Sequence, residues 1–185
     1  GGTVELKEFI QNRQECLLGQ VVELIGFGAV TRADEVFELP IGAARRLGLP
    51  PPYFAVDGFG EAVRDWSINH QSDIAFPYTK TGTALPRELG RWIDVAWRYR
   101  TQLWSRQGKG FKTKKSSGGA YFEYSMFYPE RHFCPLKIAF VEVSSHNHFV
   151  LDRGGTVFKQ TSPIIKLAAG ASEDDHLALL GLLNS

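Results

Sequence analysis

Three groups of side chains in this sequence have types and spacing that could do chemistry. The densest lies at residues 91–115, where Arg91, Arg98, Arg100, Arg106, Lys109, Lys112, Lys114 and Lys115 face a single acid, Asp94, and interleave with Trp92, Trp97, Tyr99, Trp104 and Phe111. That segment carries +7 in a chain whose formal net charge is only +1, which leaves −6 for the remainder. Positive charge clustered with aromatic rings suits a polyanion, nucleic acid first. The bland alternative is a solvated helix face followed by a disordered lysine loop. A second group, His146, Asn147 and His148 with His132 and Cys134, holds ligand-type atoms. It lacks both a Cys-x2-Cys pair and two histidines one helical turn apart, and alternate residues on a strand point to opposite faces. Structural or DNA-contacting histidines therefore fit better than a metal site or a nuclease. The third group is glycine- and proline-rich. Gly26-Phe27-Gly28 is too short for a cofactor loop and leads into a polar turn rather than a helix. Leu49-Pro50-Pro51-Pro52-Tyr53 lacks the Asn or Asp that a tetrad holding a flipped adenine's amino group needs. Asp174-Asp175 reads as favourable acid in the first turn of a helix rather than as a catalytic pair.

The elements that must position these groups follow from hydrophobic periodicity. Residues 4–18 space apolar side chains as a short amphipathic helix closed by Gly19, and residues 21–25 and 35–39 read as strands on either side of the glycine turn. A short helix is expected at residues 43–47, an extended proline connection after it, and strands at 53–56 and 73–76, with a turn at Asp57-Gly58. Pro86 suits the first turn of a long helix in which Leu89, Trp92, Ile93, Ala96, Trp97, Leu103 and Trp104 recur at helical spacing. Its stripe passes through Arg100, which must be paired, snorkelled to the rim or held against a ligand. Trp92, Trp97 and Trp104 are expected to anchor this helix to the core, with Arg91 and Arg98 facing solvent. Residues 107–119 are rich in Gly, Ser and Lys and predict a mobile loop. Strands are expected at 120–128, 136–143, 148–151 and 156–159, with Arg153-Gly154-Gly155 closing a hairpin between the last two. Ser172 and Asp175 form a capping box ahead of a final helix. Helices bracketing a mixed, largely antiparallel sheet, without βαβ alternation, make an α+β fold.

Length and composition set the outer bounds. A chain of 185 residues that is 43% apolar can bury one good core, so residues 1–185 are expected to form a single domain. No apolar run is long enough to span a bilayer and no signal-peptide pattern leads the chain, so a soluble, cytoplasmic protein with reduced, buried Cys16 and Cys134 is expected. The first residue is Gly and the last falls inside a helical pattern, which suggests a fragment excised from a longer chain.

Several motifs together resemble a known family. Ile25-Gly26-Phe27-Gly28-Ala29-Val30-Thr31 running to Asp34-Glu35-Val36-Phe37 is similar to the opening segment of target-recognition domains in adenine-N6 DNA methyltransferases. The likeness continues through Val63-Arg64-Asp65-Trp66-Ser67-Ile68 and Phe76-Pro77-Tyr78. It ends with the segment from His146-Asn147-His148-Phe149-Val150-Leu151-Asp152-Arg153-Gly154-Gly155 to Leu179-Leu180-Gly181-Leu182-Leu183-Asn184-Ser185. It covers nearly the whole chain and resembles most the methyltransferase subunits of phage-exclusion (Pgl/BREX) systems and related single-chain restriction-modification enzymes.

The resemblance implies a module that reads double-stranded DNA without modifying it. In that family the motifs for S-adenosylmethionine and catalysis precede the recognition domain, and neither occurs here, so no cofactor, metal or catalytic residue is expected in this segment. The parent enzyme would use S-adenosylmethionine, and its methyltransferase domain and other phage-defence subunits would be the protein partners. Phosphate contacts would come from Arg98, Arg106, Lys109, Lys112, Lys114 and Lys115, on an exposed face or mobile loop. Base-edge candidates are Arg64, Arg100, His146, Asn147 and His148, because Arg pairs with guanine and Asn with adenine through two hydrogen bonds. For these five an internal salt bridge or backbone hydrogen bond is the competing role. The competing function is a protein-interaction module, docking a defence-system partner or bound by an acidic inhibitor that imitates DNA, with a stand-alone nuclease third.

Overall fold

A computed structural model describes residues 17–51, 54–56, 62–64 and 66–185. The helix expected over residues 4–18 lies almost wholly outside the described residues, as do Cys16, Asp65 and the Asp57-Gly58 turn. A single helical turn, Leu18–Val21, leads into strand β1 (Val22–Gly26). It is followed by β2 (Ala29–Val30), β3 (Glu38–Leu39), β4 (Phe54–Val56), β5 (Val63–Arg64), β6 (Ser67–Ile68) and β7 (Ser72–Ile74). The later strands are β8 (Tyr78–Thr79), β9 (Gly82–Thr83), β10 (Met126–Phe127), β11 (Lys137–Phe140), β12 (Phe149–Asp152), β13 (Thr156–Phe158) and β14 (Ile164–Leu167).

Two four-stranded sheets organise the chain. The first runs β1-β14-β11-β12 and is antiparallel throughout. The second runs β13-β4-β7-β3 and is antiparallel except for the β13–β4 pair. The expected α+β class with a largely antiparallel sheet is therefore what forms. Side-chain alternation divides the first sheet between two cores. Ala139, Val150 and Ile164 meet Val63 and Phe158 on one face, while Ile138, Leu151, Ile165 and Leu167 meet Leu180 of the closing helix, Glu173–Leu183, on the other. That helix begins at the expected capping box, with the Ser172 hydroxyl accepting from the Asp175 N–H at 3.2 Å. A third core, built from Phe37, Ile74, Phe76, Trp92, Leu103 and Tyr124, lies between the second sheet and the tryptophan-bearing helices.

Several expectations need correction. The single long helix is three pieces: a 3-10 turn Pro86–Leu89, then helices Trp92–Arg98 and Arg100–Ser105. Gly90 breaks the first junction at φ 53° and ψ −147°, a conformation that L side chains avoid, and a Cβ there would strike the Leu47 and Gly48 carbonyls. Tyr99, at φ −98° and ψ 5°, breaks the second, its N–H turning to the Ala96 carbonyl at 3.1 Å. Residues 35–39 divide into a helical turn, Asp34–Phe37, and the short β3, because Thr31 Oγ1 bonds the Asp34 carboxylate and holds a turn there. Residues 120–128 form turns with only β10 as strand, since Phe122 and Tyr124 are inserted as core plugs rather than alternating between two faces. Arg153-Gly154-Gly155 does not close a hairpin. Both glycines take positive φ, and the chain leaves β12 in one sheet for β13 in the other, where it pairs in parallel with β4. β14 has no counterpart among the strands expected from sequence: Ile164 and Ile165 are buried on opposite faces, so no polar alternation marks them.

Candidate nucleic-acid interface

The basic segment is carried by helix Arg100–Ser105 and the loop after it, and that loop is not the mobile tether its composition suggests. Gln107 bridges to Thr113, the Gly108 N–H donates to Lys112 O at 2.8 Å, and the Lys114 N–H donates to Arg106 O at 2.8 Å. The Lys115 N–H returns to Trp104 O at 3.1 Å and that of Gly119 to Lys114 O at 3.0 Å. The glycines and serines supply turns whose backbone groups find partners within the loop, so composition alone misjudges its order.

Arg106 is the reason it holds. Expected on an exposed face gripping phosphate, it is instead 6% exposed, over the Phe37 ring at 5.0 Å. Its guanidinium donates to the carbonyls of Leu103 at 2.9 Å, Thr31 at 2.5 Å, Tyr121 at 2.8 Å and Glu123 at 2.7 Å. These bonds tie the end of the helix, the segment after β2 and the stretch after the loop into one joint. Burial lowers its pKa to about 10, so it stays charged at neutral pH. Lys114 is also turned inward. Its Nζ lies 3.5 Å from the Glu123 carboxylate, and burial depresses its pKa against that partner's pull.

The cations of the segment left facing solvent are Arg91, Arg98, Lys109, Lys112 and Lys115, with Arg100 half-buried. Arg100 does not enter the core: its guanidinium stacks at 4.4 Å on Trp97 and donates to the Trp97 carbonyl at 3.0 Å. The three tryptophans differ from the expectation of a shared anchoring role. Trp92 is fully buried with its Nε1 donating to Val36 O at 3.0 Å, whereas Trp97 is 51% exposed and packs edge-on against Tyr121. Trp104 also meets Tyr121 edge-on and lies 5.7 Å from the Lys115 ammonium. Tyr99 is exposed and Phe111 projects almost entirely into solvent. No acid occurs between Asp94 and Glu123. The segment is therefore cationic and aromatic, its loop held by backbone hydrogen bonds, with the exposed Glu35 reaching Gln102 from another segment.

The base-edge candidates gather elsewhere, at the β5–β6 hairpin and the approach to β12. Arg64 Nη1 lies 3.0 Å from His148 Nε2, and because a guanidinium has no acceptor the imidazole nitrogen must accept. His148 is buried, Arg64, His146 and Asn147 are exposed, and the His146 and His148 rings stand 6.4 Å apart. Trp66, at the tip of the hairpin, is exposed and held at φ 76°. Arg64 and the histidines thus belong together, while Arg100 belongs with the helix and loop.

The other candidate chemistry resolves into structure. The Gly26-Phe27-Gly28 turn packs against helix Pro129–His132: Arg131 Nη1 donates to Phe27 O at 2.8 Å, and a Cβ on Gly26 would lie 2.7 Å from that nitrogen. The turn serves close packing of this helix. His132 is buried against Phe76 at 4.4 Å, and its pKa is lowered to about 4 by burial and by Lys137, against a smaller upward pull from Asp152. Lys137 and Asp152, opposite each other on β11 and β12, form a buried ion pair at 2.9 Å, and the ammonium also donates to His132 O at 3.0 Å. Sequence reasoning misses this pair, because a lone Lys and a lone Asp on two strands carry no signal. Cys134 is a buried free thiol. Among the described residues no group of three or more His, Cys, Asp or Glu side chains is placed to hold a metal, and no helix is long and apolar enough to cross a membrane.

Comparison with known proteins gives a match along the whole of this chain. The chain is 34% identical to the adenine-specific methyltransferase PglX of Streptomyces coelicolor. The similarity covers all of this chain but only 15% of PglX. No protein-family profile matches. The chain is thus similar to one part of PglX and spans about 15% of that protein's length.

Proposed function

We propose that this chain is the DNA-reading module of a site-specific adenine-N6 DNA methyltransferase acting in phage defence or restriction-modification. The observation that supports the reading is the set of cations Arg98 and Arg100 on the helices and Lys109, Lys112 and Lys115 on the loop that Arg106 fixes to the core. Solvent-facing cations on a rigid frame suit a backbone of regularly spaced phosphates. Arg64, His146 and Asn147 would supply the donors and acceptors for base edges, with the buried His148 holding Arg64 in place. The similarity of the chain to part of PglX supports a methyltransferase setting, in which the substrate would be duplex DNA. S-adenosylmethionine and the methyl-transfer chemistry belong to the methyltransferase domain.

The test is the salt dependence of duplex binding. Each phosphate contact contributes about 0.9 to the slope of log affinity against log salt, so replacing Lys109, Lys112 and Lys115 with Ala should flatten the slope by up to about 2.7. An unchanged affinity and slope would remove this face from the interface. A second reading, docking of a partner protein, draws on the exposed Trp97, Tyr99 and Val95. In competition, a partner interface would persist in excess duplex, whereas a duplex interface would be emptied by it.

A further inference from the structure

The loop that presents the lysines carries one side chain that a phosphate grip does not need. Phe111 is 87% exposed, the most exposed large apolar residue among those described, and it sits at φ 60°. A bulky residue with positive φ is rare, and such a conformation persists only where its surroundings enforce it. Here they do. Gly110 precedes it at φ 69°, the Gly108 N–H closes on Lys112 O, and Gln107 bridges Thr113 across the base of the finger. Gly108 itself packs so closely on Ser125 that a Cβ would lie 2.9 Å from its carbonyl. Below that, Arg106 holds four carbonyls. The finger therefore projects an aromatic ring on a braced backbone, with Lys109 and Lys112 on either side in sequence and no acid within the finger. An apolar tip flanked by cations suits a target that is anionic outside and flat and apolar within. A base stack has that character, whereas an apolar protein pocket would leave both lysines without partners.

We propose that Phe111 is a wedge that inserts between stacked bases while Lys109 and Lys112 hold the flanking phosphates. This rests on the reading of the chain as a duplex-binding module and adds that the bound duplex is locally unstacked. It also explains the bracing, since a ring on a floppy loop would have to be ordered before it could separate neighbouring base pairs.

The experiment uses duplexes carrying 2-aminopurine at successive positions, whose fluorescence rises when the base is unstacked. The wild-type chain should raise the signal at one step. Phe111→Ala should abolish that rise and weaken binding about 5- to 150-fold, the range for loss of one aromatic–base stack. Its salt slope should stay unchanged because no phosphate contact is lost. Phe111→Leu, which keeps an apolar wedge, should restore part of the signal. Phe111 has almost no contacts to lose, so an unaltered thermal melt confirms that the variant is folded. If the wild type binds with a steep salt slope but Phe111→Ala gives the same signal and affinity, the wedge is wrong and duplex binding stands. If the wild type shows no salt-dependent duplex binding, both fail.

Discussion

Replacing Arg106 with Lys separates a structural cation from a DNA-contacting one. The substitution keeps the positive charge but replaces a planar fork, bonded to four carbonyls at 2.5–2.9 Å, with a single ammonium. An ammonium has three donors on a shorter reach, so at least one of the four carbonyls loses its bond. The site is 6% exposed, and each lost charge-assisted bond is worth about 1.5–3 kcal/mol. Arg106→Lys should therefore cost at least about 1.5–3 kcal/mol, a sizeable share of the roughly 5–15 kcal/mol that holds a domain folded. Urea unfolding followed by tryptophan fluorescence reads this directly, because Trp104 lies two residues before the joint and Trp92 packs on the Phe37 ring beneath it. Duplex affinity measured where the variant is still fully folded should retain the wild-type salt slope. A variant that unfolds within about 1 kcal/mol of wild type but loses one phosphate's worth of slope, about 0.9, would refute the argument and return Arg106 to the interface.

Two further perturbations probe the scaffold. Lys137→Met leaves Asp152 as an uncompensated buried charge and should cost about 3–5 kcal/mol, while the double variant Lys137→Met, Asp152→Leu should recover most of it in the same unfolding assay. His132 protonates near pH 4 in the folded chain and near its ordinary 6.5 when unfolded. The unfolded state therefore binds more protons between those values, so stability should fall as the pH drops from about 6.5 to 4, by at most about 3 kcal/mol, and His132→Phe should remove that part of the dependence.

Part of this architecture is legible in the sequence because local rules and tertiary packing agree. β1, β7, β11 and β12 lie within a few residues of their expected positions, and the Ser172–Asp175 box starts its helix as its spacing dictates. Elsewhere tertiary partners override local pattern. The periodicity around Trp92 continues through Tyr99, but the backbone breaks there, and Arg100 lies on Trp97 rather than in the core. The charge of residues 91–115 is visible in the sequence, yet its division is not. Arg106 and Lys114 turn inward only because the carbonyls of Thr31, Tyr121 and Glu123 and the Glu123 carboxylate converge on them from other segments. Phe111 looks like any other aromatic of the cluster, since its exposure depends on a backbone conformation that sequence spacing does not encode. The Arg64–His148 contact joins residues 84 apart, and sequence spacing offers each only separately as a base reader.

The central claim is that this chain reads DNA sequence. Its most direct test is selection from a random duplex pool: the purified chain is incubated with the pool, bound DNA is recovered over several rounds, and the products are sequenced. The account predicts enrichment of a short motif containing adenine, matching the site modified by a methyltransferase that carries this segment. Recovery of a pool no different in sequence from the input, at salt where binding is measurable, would contradict it.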